Sequence, residues 1–221
     1  MKKLTIFTCS YWTDDWVALL LKTLKERTSN EFEFINRQNH LKKVNLGHGA
    51  SLDWAVKNCE TEYLAIFDSD AHVLLQDWDK ILIDKFETDS FLKLAIASDG
   101  GLLKPARPLA MFMRVKDIKD NNISFMPNEV DGAKFDVSVH AYFKVLTLFG
   151  DKSVLRLPYK KTEYDNVLGN EYMLDGKRFV YHNWYSSRWF DKTGFRCKSV
   201  VDSIKWVDFE AKKKNLFNQV K

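Results

Sequence analysis

Apolar and polar residues alternate from Leu4 to Thr8 in a segment rich in β-formers, which predicts an opening strand. Thr13-Asp14-Asp15 then offers capping groups to a run that places Trp16, Leu19, Leu20 and Leu24 on one side of a helix. Glu31 to Ile35 reads as a second short strand. After a turn at Leu46-Gly47-His48-Gly49, a second helix carries Leu52, Ala55, Val56 and Cys59 on one face. Tyr63 to Phe67 is a nearly continuous apolar strand. A helix from about Asp77 to Phe86 follows, with Trp78, Ile81, Leu82 and Phe86 inward, and then a strand from Leu94 to Ala97.

Strands alternating with helices at this spacing pair in parallel through right-handed crossovers that cover both faces of a sheet. The expected class is therefore α/β, a Rossmann-like, mostly parallel central sheet with helices on both faces, in a single domain. Ligands of such sheets bind beyond the carboxyl ends of the strands. That rule puts Thr8 to Trp12, Asn36-Arg37 and Asp68 to Asp70 on one rim. The second half is less regular: strands at Leu109 to Val115, Val154 to Leu157 and Phe179 to Trp184, a helix at Asp136 to Phe149, and a closing helix at Lys205 to Gln219.

A length of 221 residues, 45% of them hydrophobic, suffices for one substantial core, and four prolines and nine glycines leave no linker-like tract. The N-terminal apolar run breaks at Cys9-Ser10 and meets Asp14-Asp15, unlike a signal peptide. No stretch approaches the roughly 20 apolar residues of a membrane helix. Cys9, Cys59 and Cys197 lack the paired spacing of zinc or redox sites, so free thiols in a reducing cytoplasm are expected. The net charge of +4 is modest, with a local excess at Lys212-Lys213-Lys214 that reads as a solvated helix face.

Candidate chemistry concentrates at Asp68-Ser69-Asp70, where a wholly apolar strand ends in two carboxylates with one small residue between them. Carboxylates just past a buried strand are costly unless they hold positive charge. Magnesium or manganese, taking one or two carboxylates together with substrate phosphates, suits that pattern. Two aspartates at a strand end also serve as ordinary turn residues. The context around the tripeptide decides between these readings.

Upstream stand Gly47-His48-Gly49-Ala50-Ser51-Leu52-Asp53-Trp54-Ala55 and the step Thr61-Glu62-Tyr63, and downstream Gln76-Asp77-Trp78 enters the next helix. In this combination, residues 1 to 100 resemble the family 2 glycosyltransferases and their GT-A relatives, whose Gly-rich turn, helix and small-Glu-Tyr step lead into a strand ending in Asp-x-Asp. The resemblance implies that Asp70 ligates the metal, that Asp68 contacts the donor's ribose or the metal through water, and that Ser69 lies along the donor. Thr8 and Ser10, with Asn36 and Arg37 after the second strand, take the positions that hold base and ribose. The chain departs from many relatives in carrying Asn36-Arg37 where they have Asp, and Leu52-Asp53 where they have Arg-Asn; Asp53 is expected to touch the donor.

The same resemblance assigns the second half, residues 101 to 221, to the acceptor side. Asp136, before Val137 to Phe143, matches the position of the inverting enzymes' catalytic aspartate, with Asp131 in reserve; a helix start favours aspartate in any case through capping and the dipole. His182, in an aromatic segment, takes the place of the late histidine that completes the metal site in several GT-A enzymes, although a lone histidine is more often structural. Arg188 suits the donor diphosphate geometrically.

Together these residues lead us to expect an inverting, metal-dependent glycosyltransferase. Its donor would be a UDP- or GDP-sugar, its cation manganese or magnesium, and its acceptor a hydroxyl of a glycan, a protein, a small molecule or a modified DNA base. Two other readings are a nucleotidyltransferase, against which the absence of glycine and lysine from Thr8 to Trp12 counts, and a catalytically inactive carbohydrate-binding protein on the same fold.

Overall fold

The computed structural model describes residues 3–10, 14–38, 44–98, 106–127, 129–130, 133–134, 137–164 and 167–183. In chain order the first half comprises β1 (Leu4–Ser10), α1 (Asp14–Arg27), β2 (Phe32–Gln38), α2 (Val44–Asn58), β3 (Tyr63–Asp68), β4 (Ala71–Val73), α3 (Trp78–Thr88) and β5 (Leu94–Ser98). The second half adds β6 (Ala106–Arg114), α4 (Val115–Asp120), the two-residue strands β7 (Glu129–Val130) and β8 (Ala133–Lys134), α5 (Val139–Phe149), β9 (Val154–Tyr164), β10 (Val167–Leu174) and β11 (Lys177–Asn183).

Nine strands form one sheet in the order β2-β1-β3-β6-β5-β9-β10-β11-β4. The expected parallel core is present: β1 runs parallel to β2 and β3, and β5 parallel to β9. Antiparallel β6 lies between β3 and β5, so these two strands point the same way and share a carboxyl rim. Beyond β9 the sheet continues as the antiparallel set β10, β11 and β4. β9 serves both parts, pairing through Val154 to Pro158 with β5 and through Tyr159 to Tyr164 with β10.

Alternation along β3 divides the core between the two faces, as the two-residue strand period requires. Tyr63, Ala65 and Phe67 join Leu20 and Leu24 of α1 and Trp78, Leu82 and Phe86 of α3. Leu64 and Ile66 meet Leu52 and Val56 of α2, Ile118 of α4, and Tyr142 and Val145 of α5. Aromatic rings dominate the first layer: Phe67 stands edge-on to Trp78 at 5.4 Å, and Tyr63 stacks on Phe112 at 5.3 Å. The buried Trp78 donates its indole N–H to Thr28 Oγ1 at 3.0 Å, which removes the cost of burying that polar atom.

Several elements differ from expectation at their boundaries: β2 runs on to Gln38, β9 runs seven residues beyond Leu157 to Tyr164, and the described part of α5 starts at Val139. α2 starts at Val44, so Gly47 and Gly49 lie within the helix rather than in a turn. Their glycine character has a packing cause at position 49, where an added Cβ would meet Met126 Cα and the Phe125 carbonyl at 3.0 Å each. The strand expected to reach Val115 ends at Arg114, and Val115 opens α4. The proposed closing helix at Lys205 to Gln219 lies outside the described residues.

Candidate functional site

Register brings the rim residues together. Thr8 pairs with Asn36 on one side and Phe67 on the other, and Cys9 with Arg37 and Asp68. Asp68 is therefore the last residue of a buried strand, and Ser69 and Asp70 form the turn into β4. β4 pairs antiparallel with β11, and its Ala71 stands opposite His182. One short pairing thus carries a histidine from the far end of the chain to the residue beside Asp70.

The resulting group is compact. His182 Nε2 lies 3.2 Å from Asp70 Oδ1 and 3.6 Å from Asp68 Oδ2. One ligand atom from each of Asp68, Asp70 and His182 falls within 4.8 Å of the others. Asp70 is only 4% exposed. Two ionised carboxylates at that separation repel by roughly 3 kcal/mol at an effective dielectric constant of about 20, a cost that a cation between them removes. Two oxygens and an imidazole nitrogen suit manganese, and magnesium through the oxygens; the donor set fits a divalent cation.

A second imidazole adjoins the group. His48 Nε2 is 3.8 Å from Asp68 Oδ1, so the Asp68 carboxylate has a histidine on each side. Sequence reading passed over His48 because it stands between two glycines that resemble a turn. The signal was nonetheless present: Leu52 and Val56 are buried at helical spacing, and the same stripe extended one turn back reaches His48.

The other expected site residues are placed as follows. Thr8 and Ser10 are fully buried, share the face of Leu4 and Ile6, and have hydroxyls without a hydrogen-bond partner among the described residues. Asn36 and Arg37 are exposed, and the Arg37 guanidinium lies 4.8 Å from the centre of the Trp54 ring, a cation–π arrangement. Ser69 is buried beside Asp70. Asp53 turns toward the 124–126 segment, its oxygens accepting from Ser124 Oγ at 2.7 Å and the Phe125 N–H at 2.6 Å. Asp131, Asp136 and Arg188 lie outside the described residues. Near Asp136 in sequence, Ser138 starts α5 in the left-handed region, with φ at 73° and its N–H directed at the Phe125 carbonyl. A non-glycine residue held there marks local strain, of a kind that collects at functional sites.

Cys9 also reaches this rim. Burial above all, with the Asp68 charge in support, pushes its thiol pKa up against the opposing effects of the Ser51 hydroxyl and Arg37. The thiol therefore stays protonated at neutral pH and is a poor nucleophile.

No family model matches the chain, and no curated protein matches it by sequence. Solved structures do match. TarS from S. aureus, residues 1–349, superposes with a TM-score of 0.52 at 14% identity over 85% of this chain and 62% of its own. The mannosyltransferase PcManGT from Pyrobaculum calidifontis, in complex with GDP-Man and Mn2+, gives 0.52 at 11% identity over 76% and 56%. Glucosyl-3-phosphoglycerate synthase from Mycobacterium tuberculosis, with Mn2+ and UDP-Glc, gives 0.50 at 8% identity over 70% and 68%. The chain spans about three fifths of the TarS fragment. At such identities the likeness is one of architecture: this chain has the GT-A fold of the nucleotide-sugar glycosyltransferases.

Proposed function

We propose that the protein is a metal-dependent glycosyltransferase, moving a sugar from a nucleoside-diphosphate sugar to an acceptor hydroxyl. The observation that carries this reading is the convergence of Asp68, Asp70 and His182 at the carboxyl rim of a GT-A sheet. Relatives in fold were solved with Mn2+ and a UDP- or GDP-sugar, which supports the same donor class here. Asp68, Asp70 and His182 would hold a divalent cation, which when bound would supply positive charge to the leaving diphosphate.

The chain's own groups do the rest. Thr8, Ser10, Asn36 and Arg37 border the place for the nucleoside, Ser69 lies beside the metal ligands, and Arg188 neutralises diphosphate charge. Asp136 accepts the proton of the acceptor hydroxyl while that oxygen bonds to the anomeric carbon and the bond to phosphate breaks, which inverts the centre. Residues 1–100 are the donor half and residues 101–221 the acceptor half of one domain. No described helix is long and apolar enough to cross a membrane, and Cys9 and Cys59 are free thiols, in keeping with a cytoplasmic setting. The acceptor is a glycan, a protein or a modified DNA base, which an acceptor panel separates.

Calorimetric titration of UDP, GDP and their sugars, with and without manganese, tests the proposal on wild type and Asp70→Ala. The expected result is manganese-dependent binding of one nucleotide series that the substitution abolishes. Metal-independent or absent binding of every nucleotide would sink it and favour a binding protein on the same fold.

A further inference from the structure

The two oxygens of Asp68 face different partners. Oδ2 lies on the Asp70 side, 3.6 Å from His182 Nε2, whereas Oδ1 lies 3.8 Å from His48 Nε2. The first separation belongs to the metal group. The second lies outside the Asp68–Asp70–His182 group.

A separation of 3.8 Å is too long for a direct hydrogen bond, yet it lets a single oxygen atom sit about 2.8 Å from both His48 Nε2 and Asp68 Oδ1. A carboxylate only accepts, while an imidazole nitrogen bearing its proton donates. One oxygen that satisfies both must donate to the carboxylate and accept from the imidazole. A hydroxyl does this, and a phosphate or carbonyl oxygen, which only accepts, does not. Both side chains are within reach of solvent, with 20% and 25% exposure. The helix spacing that buries Leu52 and Val56 also directs His48 toward the strands. The Ser51 hydroxyl donates to the Gly47 carbonyl one turn back at 2.8 Å, which fixes the local backbone.

We propose that His48 is a donor-binding residue: its Nε2–H and Asp68 Oδ1 together hold one hydroxyl of the nucleotide-sugar. This rests on the glycosyltransferase reading above. The hydroxyl belongs either to the ribose or to the transferred sugar, and the two sources separate by experiment.

Titrations in manganese of wild type, His48→Ala and His48→Gln would use UDP, GDP, their 2′- and 3′-deoxyribose counterparts, and the sugar-bearing donors. With the hydroxyl on the ribose, one deoxy ligand binds wild type more weakly than its parent. His48→Ala weakens the parent by about tenfold, the order of one hydrogen bond within a charged pair, and leaves that deoxy ligand unchanged. His48→Gln, which keeps an N–H donor, recovers part of the loss. If the effect needs the sugar-bearing donor, the hydroxyl is on the transferred sugar; if free diphosphates show it, it is on the ribose.

Equal weakening of the free diphosphates and their deoxyribose counterparts, or no weakening of any ligand, sugar-bearing donors included, overturns the proposal, since a structural histidine or a bridging water gives that pattern. Manganese affinity without nucleotide is expected to be the same in wild type and His48→Ala. A wild-type protein that binds no nucleoside diphosphate overturns the parent reading as well. One that binds them normally but ignores His48→Ala overturns this inference alone.

Discussion

Asp53 lies one helical turn after Gly49 on α2, and both face the segment from Ser124 to Pro127. Gly49 lets the backbones approach, and the Asp53 carboxylate binds the Phe125 N–H and the Ser124 hydroxyl. Phe125 in turn offers its carbonyl to Ser138 at the start of α5. The aspartate thus ties α2 to the segment that leads to α5. Hydrogen bonds to a charged group contribute about 1.5–3 kcal/mol each. Asp53→Ala should cost about 2 kcal/mol in chemical denaturation, and Asp53→Asn, which keeps an acceptor for the Phe125 N–H, about half of that. Nucleoside diphosphate affinity should not change. A large loss of donor affinity with stability intact would return Asp53 to the donor site.

Among the elements, β4 matters out of proportion to its three residues. Its pairing with β11 sets His182 opposite Ala71, and the next pair, His72 with Tyr181, is reinforced by stacking. Trp16 of α1 stacks on His72 at 5.5 Å between ring centres, and His72 on Tyr181 at 6.3 Å. These three rings hold the strand pair that positions the proposed metal ligands. Trp16→Ala should cost about 3 kcal/mol or more, as a large buried side chain is removed. It should also weaken manganese binding several-fold by calorimetry, whereas Leu82→Ala, a loss of comparable kind in the α3 layer, should leave it unchanged. Equal manganese affinity in both variants would reduce the stack to plain packing.

β4 also shows where sequence reading stops. β1, β3, α1, α3 and β5 are visible in the chain because each carries a full period of apolar residues facing one or both layers. A three-residue strand has no period, and its partner is far away in sequence. β10 was hidden for another reason: Asn170 and Glu171 interrupt its apolar pattern, yet both are buried, with Glu171 paired to Arg178 on β11. The site was legible at Asp68 and Asp70, where polarity changes abruptly, and at His182 only through resemblance. His48 was masked by its glycine neighbours, of which Gly49 serves close packing rather than a turn.

At the scale of the molecule, the metal group sits outside the forces that hold the fold. Both hydrophobic layers close around aromatic and aliphatic side chains, and Asp68, Asp70 and His182 belong to neither. The protein should therefore fold without metal, and a chelator added to the metal-free protein should leave its melting temperature unaltered, whereas manganese alone adds only its own linkage term. Ligand binding must then appear as added stability by linkage. A nucleoside diphosphate present with manganese at about 100 times its dissociation constant adds about 2.7 kcal/mol. For a chain of 221 residues that raises the melting temperature by roughly 5–10 °C. The increase should vanish on adding excess chelator, and in Asp70→Ala under any condition. A metal-free protein that fails to fold cooperatively would mean that the cation helps to hold β4 against β11, and would give the carboxylate pair a structural role as well as the proposed one.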